Sequence, residues 1–327
     1  MNVAILDDWF DTLRNLPCFS KLNGMDVTIF NDHLTDTGAL VARLEPYESM
    51  VLFRERTQIT RELIKRLPNL RLISQRSAYP HIDIDACSDH GVLVCSNMSS
   101  GTPSSAAAEH CWALIMAAMR DIPSQMASLQ KGNWQTGVGK SLYGRQLGLY
   151  GYGRIAKQVA NYARAFGMAV VWWGSEDGRA RAMANGENVA ASRQDFFRTS
   201  DVVSIHVRLK PETQHIITAA DFAAMPGDAL FVNTSRAGLI APGALLDALN
   251  KGHPGKAAID VFDTEPITTA DDPLVMHPHL VATPHIGFVT EDEFEIQFSD
   301  IFDQLVAWQA GEPIHMVNPQ VWPQNRL

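Results

Sequence analysis

The stretch that decides the fold reads Leu147-Gly148-Leu149-Tyr150-Gly151-Tyr152-Gly153-Arg154-Ile155-Ala156. A short apolar segment leads into the pattern Gly-x-Gly-x-x-Ala, and a helical segment to about Phe166 follows. Gly151 permits a tight turn, and Gly153 lets a pyrophosphate approach a helix N-terminus, where unpaired N–H groups favour anions. The pattern predicts the strand, turn and helix of a dinucleotide-binding fold, with cofactor contacts from Gly151, Tyr152, Gly153, Arg154 and Ile155.

Strand-like and helical segments alternate outward from this turn in both directions. The predicted strands before it are Val3–Leu6, Val27–Phe30, Met50–Phe53, Leu70–Ser74 and Val92–Cys95. Those from the turn onward are Leu147–Tyr150, Ala169–Trp173, Val202–His206, Ala229–Asn233, Ala257–Val261 and Leu280–Thr283. A long Ala-rich helix, Ser105 to Arg120, separates the two series. The alternation indicates an α/β class with parallel sheets, and six strands complete a dinucleotide fold.

The 327 residues exceed what one hydrophobic core usually holds, so two domains are expected. We predict two doubly wound domains. A Rossmann coenzyme domain of residues 100–289 is inserted into a smaller flavodoxin-like substrate domain of residues 1–99 and 290–327. The last helix should begin at the capping box Thr290-Glu291-Asp292-Glu293, end at Gly311, and be followed by a tail that packs on the first domain. Pro242 is predicted at the first position of another helix that Gly252 ends.

Composition excludes several classes of protein. Hydrophobic residues make up 46% and charged residues 19%, which is typical of a globular enzyme. The net charge of −9 argues against nucleic-acid binding. No apolar run is long enough to span a bilayer, and the acidic N-terminal segment favours a strand over a signal peptide, so a cytoplasmic protein is expected. The four cysteines form no Cys-x-x-Cys pair, which favours reduced thiols, and no metal site is predicted.

The strand after the glycine turn ends at Trp172-Trp173-Gly174-Ser175. An acidic residue that binds the adenosine ribose of NAD is usual there. Gly174 in that place leaves room for a 2′-phosphate, with Ser175, Arg179 and Arg181 nearby, and this favours NADPH over NADH. Glu176 and Asp177 support the opposite interpretation, because either could bind the ribose.

Three polar residues follow three consecutive predicted strands: Arg236, Glu265 and His285. Ligands of an open parallel sheet bind beyond the carboxyl ends of its strands. A cation, a carboxylate and an imidazole are therefore expected at one site, where they could orient an anionic substrate and move a proton.

These motifs together resemble the D-isomer-specific 2-hydroxyacid dehydrogenases over nearly the whole chain. The resemblance is carried by Ala107-Ala-Glu-His110, by the glycine turn, by His206-Val-Arg-Leu-Lys-Pro-Glu-Thr213, by Asn233-Thr-Ser-Arg-Ala-Gly238, by Asp260-Val-Phe-Asp-Thr-Glu-Pro266 and by Thr283-Pro-His-Ile-Gly287. The spacings of 29 positions from Arg236 to Glu265 and 20 from Glu265 to His285 are those of the family.

The resemblance implies NAD(P)-dependent hydride transfer between a nicotinamide and a small D-2-hydroxy acid or 2-oxo acid. His285 is then the acid/base, Glu265 fixes its tautomer, and Arg236 binds the substrate carboxylate and polarises the carbonyl. Further cofactor contacts are expected from Gly174, Ser175, Arg179, His206, Thr213, Thr234, Ser235 and Asp260.

Backbone amides at Ser77-Ala78-Tyr79 are expected to hold the substrate carboxylate, although this loop lacks the glycines usual in the family. Tyr79 and Phe288 are predicted to shape the pocket. Arg54 is predicted as a second anion contact, with a solvated loop charge as the alternative.

Two other functions remain open at this point. Corepressors built on this fold retain the catalytic set, so a cofactor-sensing binding protein is one alternative. Formate dehydrogenase is another, but it has Gln where Glu265 stands. The resemblance also implies a homodimer, paired through the Ser105–Arg120 helix and the segment through Trp134.

Overall fold

The computed structural model describes residues 1–98 and 105–325, with the backbone alone for 323–325. The chain divides into two compact units: unit 1 is Met1–Ser104 with Val289–Leu327, and unit 2 is Ser105–Phe288. The predicted domain boundary after residue 99, all but the last residue of the predicted turn at 99–105, and the end of the tail at 326–327 lie outside the described residues.

Strands and helices alternate along the chain. The strands are β1 (Asn2–Ile5), β2 (Asp26–Ile29), β3 (Ser49–Val51), β4 (Leu72–Arg76), β5 (Leu93–Asn97), β6 (Gln146–Tyr150), β7 (Ala169–Trp173), β8 (Val202–Ile205), β9 (Leu230–Asn233), β10 (Lys256–Ile259) and β11 (Leu280–Ala282). The helices are α1 (Thr37–Leu44), α2 (Arg61–Lys65), α3 (Ile84–Asp89), α4 (Ala106–Met119), α5 (Ile122–Gln130), α6 (Arg154–Ala165), α7 (Glu176–Ala184), α8 (Arg193–Thr199), α9 (Ala219–Ala224), α10 (Ala244–Lys251) and α11 (Glu291–Gln309).

Unit 1 is built on a parallel sheet in the order β2-β1-β3-β4-β5. This is the flavodoxin-like order, so the predicted fold of the smaller domain is confirmed. Strands β1, β3, β4 and β5 are largely buried, which explains their continuous apolar sequences, whereas the edge strand β2 is partly exposed.

The last helix, α11, belongs to unit 1 and begins where its capping box predicts. The Thr290 hydroxyl accepts a hydrogen bond from the Glu293 amide at 3.1 Å. Its buried face carries Phe294, Phe298 and Phe302, and the Phe298 ring lies 4.7 Å from that of Phe53.

The tail after α11 packs on β5, as predicted. The Val317 amide donates to the Val94 carbonyl at 2.8 Å, and the Val94 amide donates to the Asn318 side chain at 2.8 Å. The tail therefore supplies hydrogen-bond partners to the backbone amide and carbonyl of Val94 at the edge of the sheet. These bonds explain how a short tail that could not fold alone is held here.

Unit 2 is built on a parallel sheet in the order β11-β10-β9-β8-β6-β7. The usual dinucleotide fold has the order 3-2-1-4-5-6, with β6 as strand 1 and β7 as strand 2. The place of strand 3 is taken by Val189, which forms a single parallel bridge with Trp172 on the outer edge of β7. The predicted Rossmann sheet is confirmed, with its third strand reduced to one residue and β11 added at the other edge.

Helix α4 has the predicted extent and packs on β9, β10 and β11 through buried residues that include Ala108, Cys111 and Ile115. The predicted start of α10 was wrong. Helix α10 begins at Ala244, because Gly243 adopts a left-handed conformation, φ +72°, that separates Pro242 from the helix.

The four cysteines are buried free thiols. Within residues 1–98 and 105–325, no helix combines the length and the apolar character needed to cross a membrane.

Candidate active site

The site is built at the carboxyl ends of three neighbouring strands of unit 2. Strands β9, β10 and β11 pair side by side in parallel, so their carboxyl ends meet at one edge of the sheet. Arg236 follows β9, Glu265 lies in the segment after β10, and His285 follows β11. The fold thus places the three predicted catalytic residues at the same edge.

Glu265 and His285 form a direct pair. The His285 Nδ1 lies 2.6 Å from the Glu265 Oε2, while the Glu265 Oε1 accepts a hydrogen bond from the Phe262 amide at 2.9 Å. A carboxylate only accepts, so Nδ1 carries the hydrogen and Nε2 is the nitrogen left for proton exchange. The side chains are 28% and 34% exposed for His285 and Glu265, so the pair is accessible to a ligand.

The His285 backbone has φ +55°, an uncommon conformation for a residue with a β-carbon. Its amide donates to the Thr283 carbonyl at 3.0 Å. Phe288, predicted to shape the pocket, stands edge-on to the His285 ring at 5.7 Å. The turn and the aromatic contact together restrict the orientation of the imidazole.

Asp260 holds the loop that carries His285. Its Oδ1 accepts from the Thr283 hydroxyl at 2.6 Å and the Ile286 amide at 2.9 Å, and its Oδ2 accepts from the Gly287 amide at 2.8 Å. Burial raises the pKa of Asp260, but hydrogen bonds from His110, Thr283 and Ile286 outweigh it and hold this pKa below its usual value. The carboxylate is 1% exposed and engaged on both oxygens, so its observed contacts are internal.

Arg236 lies in a segment braced against the neighbouring strand. Ser235 donates its hydroxyl to the Ile205 carbonyl at 2.7 Å, and Asn233 donates its amide to the Arg236 carbonyl at 2.9 Å. The Arg236 Nη1 donates to the Ser235 carbonyl at 2.8 Å. The backbone that presents the guanidinium is therefore fixed on both sides.

The glycine turn has the predicted geometry. Gly151 has φ +112°, and a β-carbon there would lie 2.4 Å from the His206 carbonyl oxygen, so only glycine fits. Gly153 is the N-cap of α6, has open space where a β-carbon would stand, and makes no side-chain cap. Ala156 is fully buried at the helix–sheet contact. The open helix N-terminus, beginning at Arg154 and Ile155, fits a pyrophosphate.

Tyr152 has a core role within the turn. Its ring packs edge-on against Trp172 at 4.8 Å, and its hydroxyl accepts from the Asn185 amide at 2.8 Å. Any contact of Tyr152 with a cofactor is left to its backbone.

The segment after β7 is a second helix N-terminus. Gly174 has φ +149°, and the Ser175 hydroxyl caps α7 by accepting from the Gly178 amide at 3.2 Å. Arg179 stacks over the Trp173 ring at 4.2 Å. Arg181 pairs with Asp177 at 2.9 Å. The arginine that favours NADPH and the carboxylate that favours NADH therefore bind each other.

His206 and Cys111 form a neutral polar cluster under the carboxyl ends of β8 and β9. The Ser204 hydroxyl lies 2.9 Å from the His206 Nε2 and 3.4 Å from the Cys111 sulfur. Burial lowers the pKa of His206 to about 4. Burial raises the pKa of the Cys111 thiol to about 11 against hydrogen bonds with Ser204 and Thr234. A lowered pKa makes the His206 imidazole a weak base, and a raised pKa keeps the Cys111 thiol from forming the nucleophilic thiolate.

The Thr213 hydroxyl closes its own loop. It donates to the Arg208 carbonyl at 2.6 Å and accepts from the Lys210 amide at 2.8 Å. These contacts use the donor and one acceptor position of the hydroxyl, and the cofactor contact of Thr213 stays a prediction.

The Ser77 amide, predicted to hold the substrate carboxylate, has an internal partner in this structure. The Ser77 amide donates to the Asn97 carbonyl at 3.0 Å, in a left-handed conformation with φ +79°. The Ser77 carbonyl accepts from the Gln75 side chain at 2.9 Å and from the Ser96 hydroxyl at 2.7 Å. These internal bonds hold the serine in the left-handed conformation, so Ala78 and Tyr79 are the remaining candidates in this loop. Tyr79 packs on the unit 1 core.

Sequence reasoning missed a buried carboxylate beside the Arg54 segment. Asp7 accepts from the Thr57 hydroxyl at 2.6 Å and lies 2.9 Å from the His33 Nδ1. Its carbonyl accepts from Arg56 at 2.6 Å. Asp7 thus anchors the segment after β3, in which Arg54 has φ +62°. The only signal in the sequence was an acid directly after a buried strand.

No group of three potential metal ligands occurs among the described residues.

Comparisons with known proteins agree with this geometry. Residues 112–287 match the family model of the D-isomer specific 2-hydroxyacid dehydrogenase NAD binding domain. The glyoxylate reductase of Thermococcus litoralis is 30% identical, with 87% of each chain covered. An oxidoreductase of known structure from Ralstonia solanacearum is 44% identical, covers 98% of both chains and superposes with a TM-score of 0.93.

The D-3-phosphoglycerate dehydrogenase of Bacillus subtilis is 33% identical over 81% of this chain. The chain spans about half the length of that relative, 50%. The family model covers more than half of the chain, and the glyoxylate reductase is matched over most of its own length. The chain belongs to the D-isomer-specific 2-hydroxyacid dehydrogenase family.

Proposed function

We propose that this protein is an NAD(P)-dependent oxidoreductase that interconverts a small 2-oxo acid and the D-2-hydroxy acid. The observation that carries the proposal is the 2.6 Å pair of Glu265 and His285 at the edge of a dinucleotide-binding sheet. Such a pair handles a proton, and an alcohol–ketone interconversion needs one proton moved for each hydride. When bound, a nicotinamide cofactor supplies or accepts that hydride.

His285 is the acid/base in this proposal. Its Nε2 gives a proton to the keto oxygen during reduction and takes it back during oxidation. Glu265 keeps Nδ1 protonated, so that Nε2 faces the reacting oxygen, and stabilises the imidazolium that forms. A glutamate in this position favours hydroxy-acid chemistry over formate oxidation, which needs no proton transfer on the substrate.

Arg236 binds the substrate carboxylate and polarises the neighbouring carbonyl. A guanidinium has a planar set of donors that matches a carboxylate in two parallel hydrogen bonds. Its fixed backbone would hold the 2-oxo group at a constant position next to His285.

The cofactor is proposed to lie with its pyrophosphate on the N-terminus of α6. Gly153 leaves space for the approach, and the first amides of α6 donate to the anion. We propose NADPH over NADH, because Gly174 removes the usual ribose-binding acid and Arg179 lies on Trp173 beside it. Glu176 and Asp177 in the first turn of α7 argue for NADH.

A substrate panel tests the function and the cofactor preference together. Glyoxylate, hydroxypyruvate, pyruvate, phenylpyruvate and, in the reverse direction, D-3-phosphoglycerate would each be assayed with both cofactors. We expect turnover of at least one acid and a higher kcat/KM with the phosphorylated cofactor. Cofactor binding with no turnover of any acid would favour a cofactor-sensing protein instead, and a strong preference for the unphosphorylated cofactor would refute the proposed preference.

We further propose a homodimer that pairs through the α5 segment, residues 122–143. Helix α5 has no buried residue, and its exposed Ile122, Met126 and Leu129 share one face. Trp134 is 76% exposed and Val138 is 93% exposed. An apolar patch of this kind marks a protein–protein interface.

The double variant Met126→Ser with Leu129→Ser is expected to shift the protein from dimer to monomer in sedimentation velocity, because it removes apolar area from the centre of the patch. Met276→Ser, an equally exposed methionine elsewhere in unit 2, is the control and should leave the dimer intact. A wild-type monomer at micromolar concentration would refute the proposal.

A further inference from the structure

His110 reaches from helix α4 to the loop that carries His285. It ends the segment Ala107-Ala108-Glu109-His110, which no step of the proposed reaction uses. Its Nε2 lies 3.2 Å from the Asp260 Oδ1 and 3.0 Å from the Thr283 hydroxyl, and its side chain is 16% exposed. Ala108 and Cys111, on the same helix two residues before and one residue after His110, are fully buried, so the helix that presents the imidazole is fixed in the core.

The contact acts on both sides of His285. Asp260 accepts from Thr283 before it, and from the amides of Ile286 and Gly287 after it. Gly287 is close to both partners, since a β-carbon there would lie 3.1 Å from the Asp260 Oδ2 and 3.6 Å from the His110 Cδ2. The carboxylate is therefore the anchor of the loop, and His110 is a second side-chain donor to it, beside Thr283, from helix α4.

A buried carboxylate is costly unless its hydrogen bonds are satisfied. Loss of the His110 donor would leave Asp260 with only the three donors of its loop, and the carboxylate could replace the missing hydrogen bond only by moving. Any such movement shifts the Thr283 hydroxyl and the two loop amides, and with them the His285 imidazole. Displacement of an acid/base by about 1 Å is enough to cost about 10²-fold in rate.

We propose that His110 is a positioning residue, which holds the acid/base loop in register through Asp260 and Thr283. The proposal rests on the proposed function, in that it takes His285 as the acid/base. It assigns His110 no contact with substrate or cofactor, and therefore predicts a loss of kcat with binding preserved.

The test compares His110→Phe with His110→Gln. Phenylalanine keeps the ring and removes the donor, so kcat is expected to fall about 10²-fold while KM for the 2-oxo acid and Kd for the cofactor stay within about threefold. The amide nitrogen of glutamine can reach the same acceptors, so this variant should recover kcat to within about fivefold of wild type, the cost of one imperfect hydrogen bond. His279→Phe is the control, because this exposed histidine precedes β11 at the opposite end of the strand.

Thr283→Val supplies a second route to the same answer if His110→Phe does not fold. It removes the hydroxyl at nearly constant volume and is expected to lower kcat by about tenfold. Thr283→Val combined with His110→Phe is expected to lose less than the sum of the two separate losses, because both changes release the same anchor, Asp260. Unchanged kcat in His110→Phe, no recovery with glutamine, additive losses, or a fall in cofactor affinity would each overturn the positioning role. Absence of wild-type turnover would instead refute the proposed function.

Discussion

Replacement of His285 by alanine is expected to lower kcat by about 10³-fold or more, with cofactor affinity nearly unchanged. General acid/base catalysis by a positioned side chain contributes about 10²–10⁴-fold. The hydrogen bond between Glu265 and His285 uses Nδ1 and leaves Nε2 of the imidazole for proton exchange. Without the imidazole, the pair has no nitrogen that can exchange a proton with the substrate. Steady-state kinetics on the best substrate of the panel give kcat, and fluorescence titration of the reduced cofactor gives Kd.

The control for this variant is His279→Ala, which removes an imidazole of the same unit far from the pair along β11. Glu265→Gln adds a graded comparison: an amide oxygen still accepts from Nδ1 but does not stabilise an imidazolium, so a smaller loss is expected. Wild-type rates in His285→Ala would show that another group, or solvent, handles the proton.

Arg236→Lys is expected to lower kcat/KM for the 2-oxo acid by about 10²-fold, mainly through KM. A hydrogen bond to a charged group contributes about 1.5–3 kcal/mol, and an ammonium cannot reproduce the two parallel bonds of a guanidinium. Asn233 and Ser235 hold the backbone at this position, so the Cα of a lysine there would stand where that of Arg236 stands. Substrate saturation curves at fixed cofactor concentration measure the effect.

Arg198→Lys is the matched control for the arginine change. Arg198 is an exposed arginine on α8 that pairs with Asp195 three residues away, and its replacement should leave the kinetics unaltered. Equal kinetics for Arg236→Lys and wild type would exclude a guanidinium clamp on the carboxylate.

Much of the fold follows from local features of the sequence. Residues of the inner strands are apolar and often β-branched because parallel strands inside a sheet are buried on both faces, and the predicted strands were all found. Thr290 and Gly311 bound a helix because capping chemistry acts within a few residues. The predicted start of α10 at Pro242 was wrong for a local reason, because the left-handed Gly243 separates Pro242 from the helix.

Other features depended on partners distant in the chain. Val189 takes the place of the usual third strand, because its segment pairs with the outer edge of β7 through a single bridge to Trp172. The Ser77 amide is occupied because β5 presents the Asn97 carbonyl beside it. The Ser175 hydroxyl caps α7 and the Thr213 hydroxyl closes its own loop, and contact of either residue with the cofactor stays a prediction.

By itself the sequence determined the class of fold, the glycine turn and the residues that end the strands, because periodicity, capping and turn chemistry involve neighbours in the chain. Tertiary structure alone decided which other side chains support the residues at the strand ends. His110 binds Thr283 across 173 positions, and Asp260 joins the two in a place that no spacing rule specifies. The physical reason is that burial of a carboxylate is stable only where packing brings donors from separate elements to it at once.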